Sequence, residues 1–219
     1  MFAISLLAFK ITANATVPTS KSAAAAGAIG GKPTVIVAFG DSLMAGYGLP
    51  NADAFPVQLQ RALKAKGFDL RVINAGVSGD TTAGGAARFD WAVPREADAV
   101  ILGLGANDAL RGLPVDQAQR NLAAILDKIK ARGLPVLLTG VPSPANWGDA
   151  YQRDFAQMYP QLADTYDAVL YRNFLDEVAL KPDLNLSDGL HPNAKGVAVI
   201  VKRILPKVIE LLNRVKVAS

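Results

Sequence analysis

The chain of 219 residues contains no cysteine and one histidine, His191. Without cysteine there is no disulfide framework, no thiolate nucleophile and no thiolate-ligated zinc or iron–sulfur centre. A single imidazole likewise rules out a histidine-rich metal site. No stretch offers the roughly 20 consecutive apolar residues that cross a bilayer, so stable membrane insertion is not expected. Excess charge is also scarce. The net charge is +4, but the first 32 residues hold Lys10, Lys21 and Lys32 and no acid, which leaves the remainder close to neutral. That balance gives no footing for a nucleic-acid partner.

Apolar content is what the chain has in quantity. With 51% hydrophobic and 19% charged residues it can bury the full core of one domain of ordinary size. Residues 1–32 stand apart: Phe2 to Phe9 is a short apolar run, Ala13-Asn14-Ala15 resembles a small-residue cleavage site, and Ser20 to Gly31 is an Ala/Gly-rich low-complexity stretch. They are expected to form a signal-like or disordered tail, consistent with a periplasmic or secreted protein. The run lacks a preceding basic residue and is interrupted early by Lys10, so a cytoplasmic location stays open.

From residue 33 onward, apolar β-branched runs alternate with helical spacing. Val35 to Phe39 reads as a fully buried strand stopped by Gly40, and a helix-like stretch follows Ser42. Asp53 precedes a helix that ends at Gly67, and Leu70 to Val77 is a second strand. Asp80-Thr81-Thr82 caps a helix expected to be short and broken at Gly84-Gly85. Ala99 to Leu104 is a third strand, Val115 to Ala131 an amphipathic helix, Leu134 to Thr139 a fourth strand and Gly140 to Gly148 a loop. Tyr151 to Thr165 is helical around Pro160, Ala168 to Tyr171 is a fifth strand, and Lys195 to Val215 closes the chain as a helix. Strand–helix alternation predicts right-handed βαβ units, hence a three-layer α/β/α domain over residues 33–219 with a five-stranded parallel sheet.

Ligands of such sheets bind at the carboxyl ends of the strands. The polar residues that interrupt the apolar runs there are Asp41-Ser42, Ser78-Gly79-Asp80, Asn107-Asp108 and Pro144 to Trp147. Asp41 and Ser42 are also favoured helix caps. What raises Ser42 above a cap is Ser187-Asp188-Gly189-Leu190-His191-Pro192, which holds the only imidazole. Acyl transfer needs a nucleophile, a base, a group that orients the base and donors for an oxyanion. Ser42 supplies the first, His191 the second and Asp188 the third. The Gly79 N–H, the Asn107 side chain and the Ser42 N–H supply donors. Met44 occupies the place of the second glycine in a G-x-S-x-G elbow, which argues against an α/β-hydrolase arrangement. Two other classes compete: a metal-dependent phosphate or receiver-like domain with Asp41, Asp80 and Asp108 around Mg²⁺, and a binding protein without catalysis.

Gly40-Asp41-Ser42-Leu43, Ser78-Gly79-Asp80-Thr81, Gly105-Ala106-Asn107-Asp108 and Asp188-Gly189-Leu190-His191-Pro192 resemble, in order, the four blocks of the SGNH, or GDSL, hydrolases. Leu110-Arg111-Gly112, Pro144 to Gly148 and Phe174 to Val178 extend the likeness toward the bacterial periplasmic thioesterase/lysophospholipase/arylesterase branch. The resemblance covers about residues 34 to 213. It implies a flavodoxin-like strand order, Ser42 as nucleophile, Asp188 and His191 as orienter and base, and an oxyanion hole of Ser42, Gly79 and Asn107. Ala106 departs from the glycine of close relatives. The loop from Val141 to Tyr151 borders the acyl cleft in that family, which makes Trp147 and Leu110 candidates for its apolar wall. The expected substrate is a small-molecule acyl ester, with acyl thioesters and lysophospholipids within reach, and the expected chemistry uses no metal or cofactor. Nothing in the sequence sets the oligomeric state.

Overall fold

A computed structural model describes residues 32–215, and the amino-terminal stretch read above as signal-like, except Lys32, lies outside the described residues. Five parallel strands form one sheet: β1 (Thr34–Gly40), β2 (Leu70–Gly76), β3 (Ala99–Gly103), β4 (Val136–Thr139) and β5 (Val169–Tyr171). Their order is β2-β1-β3-β4-β5, the flavodoxin-like arrangement. β1 and β3 are buried on both faces, as their unbroken apolar runs require. The register pairs Gly40 with Gly76 on one side and with Gly103 on the other. Glycine is needed there because a Cβ on Gly40 would fall 2.2 Å from the Gly103 carbonyl oxygen. Two strand ends therefore close up directly beneath Ser42.

The helices are α1 (Ser42–Ala45), α2 (Phe55–Ala65), α3 (Thr82–Ala92), α4 (Ala106–Leu110), α5 (Val115–Ala131), α6 (Asp149–Tyr166) and α7 (Ala194–Leu212). Three departures from the sequence reading have local causes. The helix after Ser42 is a single turn, ended by Gly46 in the left-handed region. Asp53 does not cap α2; it closes a 3-10 turn over Asn51–Asp53, and Ala54 is the N-cap. Gly84-Gly85 does not break α3, which Thr81 caps by accepting from the Gly84 N–H. Those glycines make room for neighbours: a Cβ on Gly84 would meet Asp80 Oδ1 at 2.0 Å, and one on Gly85 would meet Leu104 at 2.2 Å. Pro160 and Pro206 sit inside helices that continue through them. No helix among the described residues is long and apolar enough to cross a membrane.

Candidate active site

Asp41 ends the β1 run and caps α1, its Oδ1 accepting from the Leu43 N–H at 3.0 Å. The cap reading and the display of Ser42 are therefore one arrangement, in which the turned chain leaves Ser42 as the first helical residue at the carboxyl edge of the sheet. Ser42 is 9% exposed, and its hydroxyl lies 2.9 Å from His191 Nε2. His191 Nδ1 lies 2.7 Å from Asp188 Oδ2. Asp188 Oδ1 accepts the backbone N–H groups of Leu190 (2.9 Å) and His191 (3.0 Å). Those two amides, His191 first, together with the imidazole hold the Asp188 carboxyl down at about 2. An ionised carboxylate only accepts, so Nδ1 carries the proton and donates to it. Nε2 of the neutral ring is left to accept from the Ser42 hydroxyl.

The loop bearing Asp188 and His191 is closed by its own backbone. Leu186 N–H donates to the His191 carbonyl at 2.8 Å, and Asn193 N–H to the Leu184 carbonyl at 2.9 Å. The Tyr47 ring lies against the imidazole with centroids 4.5 Å apart and planes at 39°. Sequence reasoning did not single out Tyr47, whose contact with His191 is made across most of the chain.

Two of the groups expected as oxyanion donors follow the strands that flank β1, Gly79 after β2 and Asn107 after β3, and the third is the Ser42 N–H itself. Gly79 has φ +83 and empty space where a Cβ would be, and neither its N–H nor that of Ser42 donates to another backbone or side-chain group among the described residues. Asn107 sits in the first turn of α4, a one-turn helix absent from the sequence reading. One hydrogen of its Nδ2 goes to the Asp80 carbonyl at 2.9 Å, leaving the other unengaged. Buried Asp108 fixes α4 by accepting from both the N–H (2.8 Å) and the hydroxyl (2.6 Å) of Thr82 at the start of α3.

Asp41, Asp80 and Asp108 do not converge as a cation site. Asp80 pairs with Arg88 at 2.6 Å, Asp108 is taken by Thr82 and Asp41 by Leu43. Among the described residues no group of three carboxylate, imidazole or thiol side chains is placed to hold a metal. Burial pushes the Asp41 carboxyl up to about 7 against the opposing Leu43 N–H, and the charges of Asp80 and Asp108 add to the rise.

Trp147 and Leu110 are 43% and 46% exposed, so neither belongs to the core. Trp147 Nε1 donates to the Ala109 carbonyl at 2.8 Å, and its ring covers Gly112, which lays the indole over the end of α4. From there an aromatic row runs along α6 through Tyr151 and Phe155 to buried Tyr159, whose hydroxyl donates to the Leu104 carbonyl at 3.0 Å.

Residues 38–199 match the GDSL-like Lipase/Acylhydrolase family. The arylesterase of Vibrio mimicus is 36% identical over 178 residues, covering 81% of this chain and 89% of that protein. Thioesterase 1/protease 1/lysophospholipase L1 of Escherichia coli is 35% identical over 179 residues, covering 81% and 85%. The crystal structure of AlinE4, an SGNH-hydrolase family esterase, superposes with a TM-score of 0.70 at 45% identity, covering 83% of this chain and 98% of AlinE4. A match over most of the chain, on this fold and around this serine, makes the protein an enzyme of the GDSL-like lipase/acylhydrolase family.

Proposed function

We propose that the protein hydrolyses carboxylic acyl esters through an acyl-enzyme on Ser42, acting on aryl esters with short to medium acyl chains and extending to acyl thioesters and lysophospholipids. The observation that carries this reading is the continuous path from Ser42 Oγ through His191 to Asp188, at 2.9 and 2.7 Å, beside a Ser42 N–H that is left unengaged.

Ser42 Oγ attacks the ester carbonyl carbon while its proton passes to His191 Nε2. The carbonyl oxygen becomes an oxyanion held by the Ser42 and Gly79 N–H groups and the free hydrogen of Asn107 Nδ2. The imidazolium that forms is balanced by Asp188, which stays ionised because its carboxyl is held so low. Collapse of the oxyanion breaks the bond to the leaving oxygen or sulfur, which takes the proton from Nε2. Water, deprotonated by the same nitrogen, then attacks the acyl-enzyme and releases acid and free Ser42. Nothing in this sequence of steps draws on a metal or cofactor.

Leu110, the last residue of α4, and Trp147, laid over that helix end, are assigned the apolar wall against which the acyl chain lies. The signal-like residues 2–15 support a periplasmic or secreted enzyme on sequence grounds alone, with the cytoplasmic alternative left open. The test is hydrolysis of a graded series of aryl esters and acyl thioesters before and after a serine-directed organophosphonate. The expected result is inactivation with the added mass on the Ser42 peptide; activity lost on chelation with no label at Ser42 would overturn the reading.

A further inference from the structure

Arg88, on α3, is a buried cation that the chemistry above does not touch, its side chain only 8% exposed. Its three guanidinium nitrogens are all committed. Nε donates to Asp80 Oδ2 at 2.6 Å, Nη1 to the Ala75 carbonyl at 2.9 Å and Nη2 to the Gly40 carbonyl at 2.8 Å. The guanidinium also lies 4.1 Å from the centre of the Phe39 ring. Its acceptors are the carboxyl ends of β1 and β2 and the residue that follows Gly79. A buried charge with good partners on every nitrogen is costly to remove and geometrically exacting while present.

The turn it grips is held at both ends of the Gly79–Asp80 peptide. The Asp80 N–H donates to the Val77 carbonyl, the Asp80 carbonyl accepts from Asn107 Nδ2, and the Gly79 carbonyl accepts from Arg111 Nη2 at 3.1 Å. The Gly79 N–H, like that of Ser78 before it, donates to no backbone or side-chain group among the described residues. The geometry points to Arg88 as the positioning residue of the oxyanion hole, holding Asp80 so that the Gly79 N–H and the Asn107 amide meet the developing charge beside Ser42. Gly79 has no side chain to fix its own conformation, so its orientation must come from a neighbour. Asn107 takes its orientation from the Asp80 carbonyl, so both donors depend on the one ion pair.

The inference rests on the oxyanion role assigned above, and its test separates the two. Arg88→Gln and Arg88→Lys are expected to lower kcat by about ten- to a hundredfold on an aryl acetate, the order of loss from misplacing reacting groups by about 1 Å, with KM within a few fold. In substrate-free protein, the ¹⁵N–¹H resonances of the Gly79 N–H and the Asn107 side chain should shift or broaden. Guanidinium ion at low millimolar concentration should restore part of the kcat of Arg88→Ala. Arg132→Gln is the matched control. Arg132 also spans two carbonyls, those of Val93 (2.9 Å) and Pro94, but at the amino edge of the sheet. It should lower the melting temperature and leave kcat alone. Should the Arg88 variants fail to fold, Asp80→Asn removes the same charged contact and carries the same expectation. Variants that keep wild-type kcat while only losing stability, with the Gly79 resonance unmoved, would overturn the proposal. Were the wild type to hydrolyse no ester, the functional reading would fall, and the Gly79 resonance would decide the Arg88 assignment by itself.

Discussion

Asp41, which precedes the nucleophile, and Asp188, which holds the base, are in opposite condition. Asp41 is buried, accepts one backbone N–H and is pushed up to about 7 by its burial. Asp188 is at the rim, accepts two backbone N–H groups and an imidazole, and is held down at about 2. The nucleophile thus stands on a packed floor built from strand ends, while its base stands on an exposed loop that supplies its own orientation. Rigidity comes from packing on the first side and from local hydrogen bonds on the second.

Removing the group where the two sides meet breaks the comparison most severely. Ser42→Ala is expected to abolish nearly all turnover, leaving the residual ~10³ to 10⁴ over water that an oxyanion hole and binding alone provide. Steady-state kinetics of a variant with wild-type circular dichroism checks it; more than a tenth of the wild-type rate would remove Ser42 from the nucleophile role. Next comes the floor. Asn107→Ala should lower kcat by about 10² to 10³ with little change in KM, as for a donor used in the transition state. A loss confined to KM would make Asn107 a binding residue instead.

The two carboxyls also separate by pH. The Asp41 carboxyl is pushed up to about 7 in the fold against 3.8 for an ordinary aspartate, so between those values the folded chain binds more protons than the unfolded one. Its contribution is therefore fully present below about 4 and is lost as pH rises through about 7. At 1.36 kcal/mol per pKa unit the swing reaches about 4 kcal/mol at most. Asp188 has the reverse sign: its contribution is present above 3.8 and is lost only as pH falls through about 2. Melting curves between pH 5 and 8.5 should show wild-type stability declining with pH and Asp41→Asn nearly flat. A parallel decline in both would place the effect elsewhere.

The smallest effect belongs to the rim wall. Trp147→Ala should cost long acyl esters more than acetates, by up to about 0.8 kcal/mol for each methylene that lies against the indole, with a modest change in melting temperature since the ring is 43% exposed. Equal losses for acetate and octanoate esters would leave the wall unidentified.

The strands, their glycine stops and the four polar interruptions were legible because each is local: a buried run is apolar, and a chemical residue at a strand end interrupts it. Asp188 and His191 were legible for the same reason, lying three apart in one loop. What the sequence hid depends on distant partners. Arg88 reads as an ordinary polar helix residue until carbonyls from β1 and β2 are placed around it. Tyr47 looks like a turn residue until α7 brings the His191 loop against it. The Gly84-Gly85 pair reads as a helix break because propensity disfavours it, and tertiary crowding from Asp80 and Leu104 is what makes glycine necessary. α4 is too short to show any periodicity, yet it carries Asn107.

The bond between Ser42 and His191 joins residues 149 apart in sequence, whereas Asp188 and His191 are joined within a loop closed on itself. During refolding, the acid–imidazole pair can assemble as soon as that short loop closes, but the nucleophile meets its base only when α7 packs against α2 and the edge of the sheet. Contacts of such separation carry the largest loop-closure cost and form late. Regain of turnover after dilution from denaturant is thus a clock for the docking of the carboxyl-terminal helix, running behind the return of helical signal.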